Sequence, residues 1–197
     1  MLHHHPITVL CSPPTAYRQL VLPAAQELLS ERPPLSLEHC VGAGEPLNGH
    51  VIESWQRMTG MTIKDGYGQT ETVLICGNFL DFPTRPGSMG KPTPGVTLRV
   101  LDENLNEAQV GQEGSMAVLL ERPSAGNPAP FFGIFDGYIN TEFQLTRKTA
   151  MANAGTANEK IWYLTGDRAY RDEDDYLWFV GRSDDVINSA GYRIGKF

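Results

Sequence analysis

Residues 37–63 read LEHCVGAGEPLNGHVIESWQRMTGMTI, and this stretch decides the fold. Leu37 to Val41 is a short strand-forming run, closed by Gly42-Ala43-Gly44-Glu45-Pro46. From Asn48 to Met58 the apolar period changes. Val51, Ile52 and Trp55 fall on one helical stripe, and Gly60 supplies a stop. A third strand follows at Met61 to Ile63. Upstream, Ile7 to Leu10 is a further apolar, β-branched run halted by Ser12-Pro13-Pro14. Thr15 then stands where it would cap a helix carrying Tyr17, Leu20 and Val21, and Pro33-Pro34 ends that helical region. Strand, helix, strand, helix, strand is the order of a parallel α/β sheet, whose ligands sit beyond the carboxyl ends of its strands.

After about residue 85 the texture changes to short alternating strands punctuated by Pro and Gly. Val96 to Leu101 and Ser115 to Leu120 flank the turn-rich Asp102-Glu103-Asn104. Trp162 to Leu164 and Tyr176 to Val180 flank the charged segment Arg171 to Asp175. The reading is an antiparallel unit built as a small distorted β-barrel. The expected organisation is an α/β subdomain over 1–85, an antiparallel β-rich subdomain over 86–182, and a hinge with the start of a further domain over 183–197.

Of the 197 residues, 41% are hydrophobic and 20% charged, ordinary values for a globular chain. The net charge of -7 and the lack of a Lys/Arg cluster make a nucleic-acid backbone a poor partner. A single phosphate group can still be held by backbone N–H groups and one or two Arg. Cys11, Cys40 and Cys76 are widely spaced and odd in number, which argues for reduced thiols over a disulfide framework or zinc site. Nothing resembles a signal peptide, a transit peptide or a membrane-spanning run. His3 to His5 cannot all face one way on a strand or helix, so they are a poor metal site.

Three segments carry chemistry. Asp65-Gly66-Tyr67-Gly68-Gln69-Thr70-Glu71-Thr72 directly follows a predicted strand, and its glycines let the backbone approach a ligand. Thr70 adds a hydroxyl, and Glu71 a carboxylate suited to a hard cation. An ordinary polar turn accounts for the octapeptide nearly as well. Tyr163-Leu164-Thr165-Gly166-Asp167 runs a strand into an isolated Asp that can accept both hydroxyls of a ribose, although a turn-capping Asp fits the same letters. Gly181 to Gly195 places Arg182 and Arg193 around the Asp184-Asp185 pair and a glycine turn. That set can clamp an anion or form surface ion pairs.

Together and in this order, these segments resemble the adenylate-forming, AMP-binding enzyme superfamily over nearly the whole chain. GYGQTETVLICGNF (66–79), PGSMGKP (86–92) and YLTGDRAYRDEDDYLWFVGRSDDVINSAGYRIG (163–195) follow the wording of the medium-chain acyl-CoA synthetases. The resemblance implies a partial adenylate-forming large domain that ends just after the hinge. It also implies ATP-dependent activation of a medium-chain fatty or aryl carboxylic acid through an acyl-adenylate to acyl-CoA, AMP and pyrophosphate. Gly44, Glu45 and Pro46 with Asp65, Gly66 and Tyr67 would line the adenine pocket, Tyr67 stacking on the base, and Gly68 and Gln69 would continue it. Thr70 would bond the α-phosphate and Glu71 would help hold Mg2+. Asp167 would bind the ribose hydroxyls with Arg182 on the same nucleotide. Arg193 would sit near the phosphate or the acyl carboxylate. Ala190, Gly191 and Tyr192 would face coenzyme A, and Asp184 matches the hinge. The mitochondrial matrix is the compartment the resemblance implies.

There are departures. Asp175 stands where the family usually has Gly, which strains the turn if its φ is positive. Ala190 replaces a frequent Ser, and Glu121 to Phe135 matches only loosely. The family's phosphate loop would lie upstream of residue 1, and the domain bearing its catalytic Lys beyond Phe197. Losing one preorganised donor of that kind costs on the order of 10²–10³ in rate, so these residues alone are expected to be inactive. The alternative is a non-catalytic product that binds nucleotide or a partner weakly. A thiol enzyme built on His39-Cys40 is a weaker option, because adjacent strand residues face opposite ways.

Overall fold

The computed structural model describes residues 2, 5–31, 36–120, 133–146, 148–156, 159–183, 187–189 and 192–194, the last two groups by backbone alone. His3, His4, Pro33, Pro34, Asp184, Ala190, Gly191 and most of the 121–135 segment lie outside the described residues.

Sheet A takes β1 (Val9–Ser12), β2 (His39–Ala43), β3 (Ile63–Gln69), β4 (Val73–Gly77) and β5 (Lys91–Pro92), in that spatial order. The first three strands are parallel, and β4 and β5 are antiparallel. Helices α1 (Pro14–Leu20), α2 (Pro23–Glu31) and α3 (Gly49–Thr59) make the crossovers. Asn48 caps α3 by accepting the His50 N–H at 2.9 Å, and Gly60 ends it in the left-handed region at φ 76°. The apolar stripe of α3 lands as its spacing requires. Val51, Ile52 and Trp55 are buried with Tyr17, Cys40 and Ile63 between helices and sheet. The Tyr17 and Trp55 rings meet edge to face with centroids 5.4 Å apart.

Thr15 does not cap α1. Pro13 holds that position, and the Thr15 hydroxyl donates instead to Glu45. His39 is exposed and Cys40 buried, with the Cys40 sulfur accepting the Trp55 indole N–H at 3.3 Å, so the pair makes no nucleophile and base.

Sheet B takes β6 (Leu98–Leu101), β7 (Gly114–Leu120), β10 (Thr149–Ala152), β11 (Lys160–Arg171) and β12 (Leu177–Arg182). Two ribbons are separate: β8 (Tyr138–Ile139) with β9 (Leu145–Thr146), and β13 (Ile187–Ser189) with β14 (Tyr192–Ile194). Strand β11 organises sheet B. One edge pairs with β7, while the other carries β10 on its first half and β12 on its second. The expected barrel is therefore an open sheet among the described residues, because β7 is the one named strand that pairs with β6, whose Leu101 otherwise makes only an isolated bridge to Glu107, and no strand joins it to the far edge.

The inner face of sheet B packs on β4 through Ile75, Cys76, Leu98, Val100, Met116, Val118, Tyr163 and Leu177. The two sheets are also stitched by backbone: Met89 N–H donates to the Leu177 carbonyl, and Leu177 N–H to that of Gly90, both at 2.8 Å. Asp175 does adopt a positive φ, 67°, in the β11–β12 turn, where Arg171 pairs with its carboxylate.

Candidate active site

A cavity of about 280 Å³ opens where the carboxyl ends of β2 and β3 face β11 and β12. It gathers residues far apart in sequence: Gly44, Glu45 and Pro46 from the loop after β2, Asp65 to Gln69 from β3, and Asp167 and Arg182 from sheet B. The Gly-rich run is strand, not the strand-end loop its composition suggests. Only Thr70 to Thr72 form the turn, because β4 folds back to pair with Gly66 through Gln69. That hairpin needs glycine. A Cβ at Gly68 would lie 1.7 Å from the Val73 carbonyl oxygen, and Val73 itself takes a positive φ of 53°.

Asp167 enters the cavity through a β-bulge. The β11–β7 register slips between Leu164 and Arg168, and Gly166 at φ 78° turns the backbone there. The Asp167 carboxylate is buried among donors. Arg182 Nη1 reaches Oδ1 at 3.0 Å, while Gln69 Nε2, at 2.8 Å, and the Tyr67 hydroxyl both donate to Oδ2. Gln69 also donates to the Thr165 carbonyl at 2.9 Å and accepts the Tyr163 hydroxyl at 3.3 Å. The backbone N–H of Asp167 donates to Thr165 Oγ1 at 3.1 Å. Burial, then the Asp167 carboxylate, holds the Tyr67 phenol well above its usual range, so it stays a donor.

Asp65 lines the same cavity in the opposite condition. It is 6% exposed, and its Oδ1 has no hydrogen-bond partner. Burial pushes its carboxyl up to about 8 against one lowering contact from the Gly66 backbone, so it is protonated at neutral pH. Its carbonyl is fixed separately, by the Asn78 backbone and side-chain N–H groups at 2.9 and 3.0 Å.

Glu45 turns its carboxylate toward α1, where Thr15 Oγ1 donates to both oxygens at 2.9 Å and Arg18 pairs with it. Thr70, exposed, and Glu71, buried, lie beyond the lining of the cavity. Glu71 accepts the Tyr138 hydroxyl, and its carbonyl accepts the Phe135 N–H at 2.9 Å. A single buried carboxylate fits Mg2+, which takes one or two carboxylates and completes its shell with water and phosphate oxygens. No cluster of three His, Cys, Asp or Glu side chains occurs among the described residues.

The third motif is brought up only in part. Arg182 joins the cavity, the backbones of Tyr192 and Arg193 form β14, and Ala190 and Gly191 lie outside the described residues. Gly181, the first residue of the third motif, also lines the cavity, as do Met89 and Phe179, which were not singled out from the sequence. Met89 sits inside PGSMGKP and Phe179 alternates with Trp178 on β12, so motif membership and strand period were the available signals.

A family model described as "AMP-binding enzyme" matches residues 1–120. The chain is 51% identical over its whole length to the mitochondrial acyl-coenzyme A synthetase ACSM3 of Mus musculus, and 48% identical to that of Homo sapiens. It spans 30% of the length of each. Among solved structures it is similar to the anthranilate CoA ligase AuaEII in complex with anthranoyl-AMP, at TM-score 0.70 and 27% identity over 98% of this chain and 33% of that one. ATP-bound MatB from Rhodopseudomonas palustris superposes at TM-score 0.71 and 26% identity, covering 96% of this chain and 33% of that one. No described helix is long and apolar enough to cross a membrane. The chain belongs to the AMP-binding enzyme family.

Proposed function

We propose that this chain supplies the adenine- and ribose-binding portion of an acid:CoA ligase that activates a medium-chain fatty or aryl carboxylic acid with ATP. One observation carries the reading: a single cavity collects residues 44–46, 65–69, 167 and 182 from two sheets. In this reading the loop 44–46 and the Asp65–Tyr67 backbone hold the base. Asp167, already oriented by Arg182 and Gln69, takes the ribose hydroxyls. To do so it exchanges the Tyr67 hydroxyl for a ligand hydroxyl, which frees the Tyr67 ring for the base.

Thr70 would stand at the α-phosphate, and Glu71, whose carboxylate accepts the Tyr138 hydroxyl, would help hold Mg2+. The metal supplies charge neutralisation at the phosphates when bound. Arg193 approaches the reacting phosphate, and Ala190 to Tyr192 face coenzyme A. Residues 1–85 thus hold the base, 86–182 the ribose and 183–197 the hinge. The compartment proposed is the mitochondrial matrix, in keeping with the relatives' names.

The test is a chimera in which these 197 residues replace the matching part of the mouse relative. Acid-dependent pyrophosphate release by the chimera, abolished by Glu71→Ala, is the expected result; a folded chimera that releases none contradicts the assignment. The 197-residue chain alone is expected to release no pyrophosphate.

A further inference from the structure

We propose that the outer face of sheet B carries a second binding site, for a small organic monocarboxylate. Consecutive residues of β11 point to opposite faces: Tyr163 is buried in the core between the sheets, and Trp162 belongs to a separate cluster with Leu101, Ala117 and Ala152. Over that outer cluster lies a cavity of about 230 Å³, between the 102–107 turn and the turn that begins at Asn153. It shares no residue with the nucleotide cavity.

Its chemistry is divided. Leu105, Leu119 and Ala152 give an apolar side, while Thr97, Arg99 and Lys160 give a hydroxyl and two cations. Trp162 also lines the cavity, is 4% exposed, and has an indole N–H with no acceptor. Lys160 has no ion-pair partner among the described residues. Arg99, by contrast, donates to the Leu98 carbonyl at 2.8 Å and pairs with Glu107 at 3.3 Å. Glu107 is bracketed on its other side by Arg171 at 3.5 Å.

One uncommitted cation, a leftover buried donor and an apolar wall suit a ligand with one negative charge and a short hydrocarbon body. The Glu107 carboxylate, which also lines the cavity, opposes a second negative charge, which disfavours a phosphate dianion.

The test titrates the 197-residue protein with butyrate, benzoate and inorganic phosphate by calorimetry, following indole fluorescence in parallel. The expected result is binding of a carboxylate in preference to phosphate, with affinity lowered about tenfold or more by Lys160→Gln, equivalent to about 1.4 kcal/mol. Arg168→Gln, which removes the same charge elsewhere on sheet B, is expected to change affinity less than about twofold. Trp162→Phe, shown folded by circular dichroism, should abolish the fluorescence response. Because Lys160 is exposed, its replacement leaves the fold intact and any loss reads the site. Three results would overturn the proposal: no carboxylate binding by folded protein, binding indifferent to Lys160→Gln, or binding of phosphate in place of both carboxylates.

Discussion

The floor and the wall of the proposed nucleotide cavity treat a buried carboxylate in opposite ways. On the wall, contributed by β11 and β12, Asp167 is surrounded by Arg182, Gln69 and Tyr67. On the floor, in the first half of β3, Asp65 has an oxygen with no partner, and burial raises its pKa to about 8. Both belong to recognisable motifs and both are buried. Their difference lies in which donors the tertiary fold brings to them, so a motif letter alone does not fix a charge state. A wall carboxylate ringed by donors is suited to accept ligand hydroxyls. A neutral floor carboxyl has a proton of its own to donate.

The largest effect is expected from breaking the wall. Arg182→Ala leaves the Asp167 charge buried without its cation and should cost about 3 kcal/mol in denaturant unfolding. A loss below about 0.5 kcal/mol would mean the pair is effectively solvated. The floor should respond in the other direction. Native Asp65 keeps a proton that the unfolded chain loses above its ordinary value of 3.8, so the native state binds more protons between the two values. Its contribution is therefore fully present below about pH 4 and is lost as pH rises toward 8. Asp65→Asn, neutral throughout, should flatten that dependence and stabilise the protein by about 2 kcal/mol at pH 8.5, read as the difference between thermal unfolding profiles at pH 5 and 8.5. An unchanged pH profile would remove the distinction between floor and wall.

Smaller effects sharpen the comparison. Tyr67→Phe removes one donor from Asp167 and should cost about 1 kcal/mol by the same unfolding measurement, with Arg182 and Gln69 still in place. Asp175→Gly relieves the positive φ in the turn joining the two wall strands and should gain about 0.5 kcal/mol, net of the exposed Arg171 pair. Because that turn lies outside the cavity lining, nucleotide affinity should not move.

Much of this architecture was legible locally. The helical stripe of Val51, Ile52 and Trp55, its Asn48 start and its Gly60 stop all appear where their spacing places them. The first three strands are parallel, as strand–helix alternation requires. What the letters hid were long-range partners. Residues 65–69 read as a loop because glycine is a poor strand former, yet β4 supplies the pairing that keeps them extended. Tyr67 meets Asp167 across 100 positions, so a ring singled out for stacking has its hydroxyl committed elsewhere. Glu45 was found by motif, but its capture by Thr15 and Arg18 depends on where α1 docks. The expected barrel opened for a similar reason: alternating strands specify a sheet, while closure depends on which edges meet.

The central claim, that floor and wall form one nucleotide site, is tested most directly by calorimetry of AMP with the folded 197-residue chain. The account predicts binding at one AMP per chain, weakened about tenfold or more by Asp167→Asn, which keeps the shape of the wall but loses its charge. No heat of binding from a chain shown to be folded, or affinity indifferent to Asp167→Asn, would contradict it.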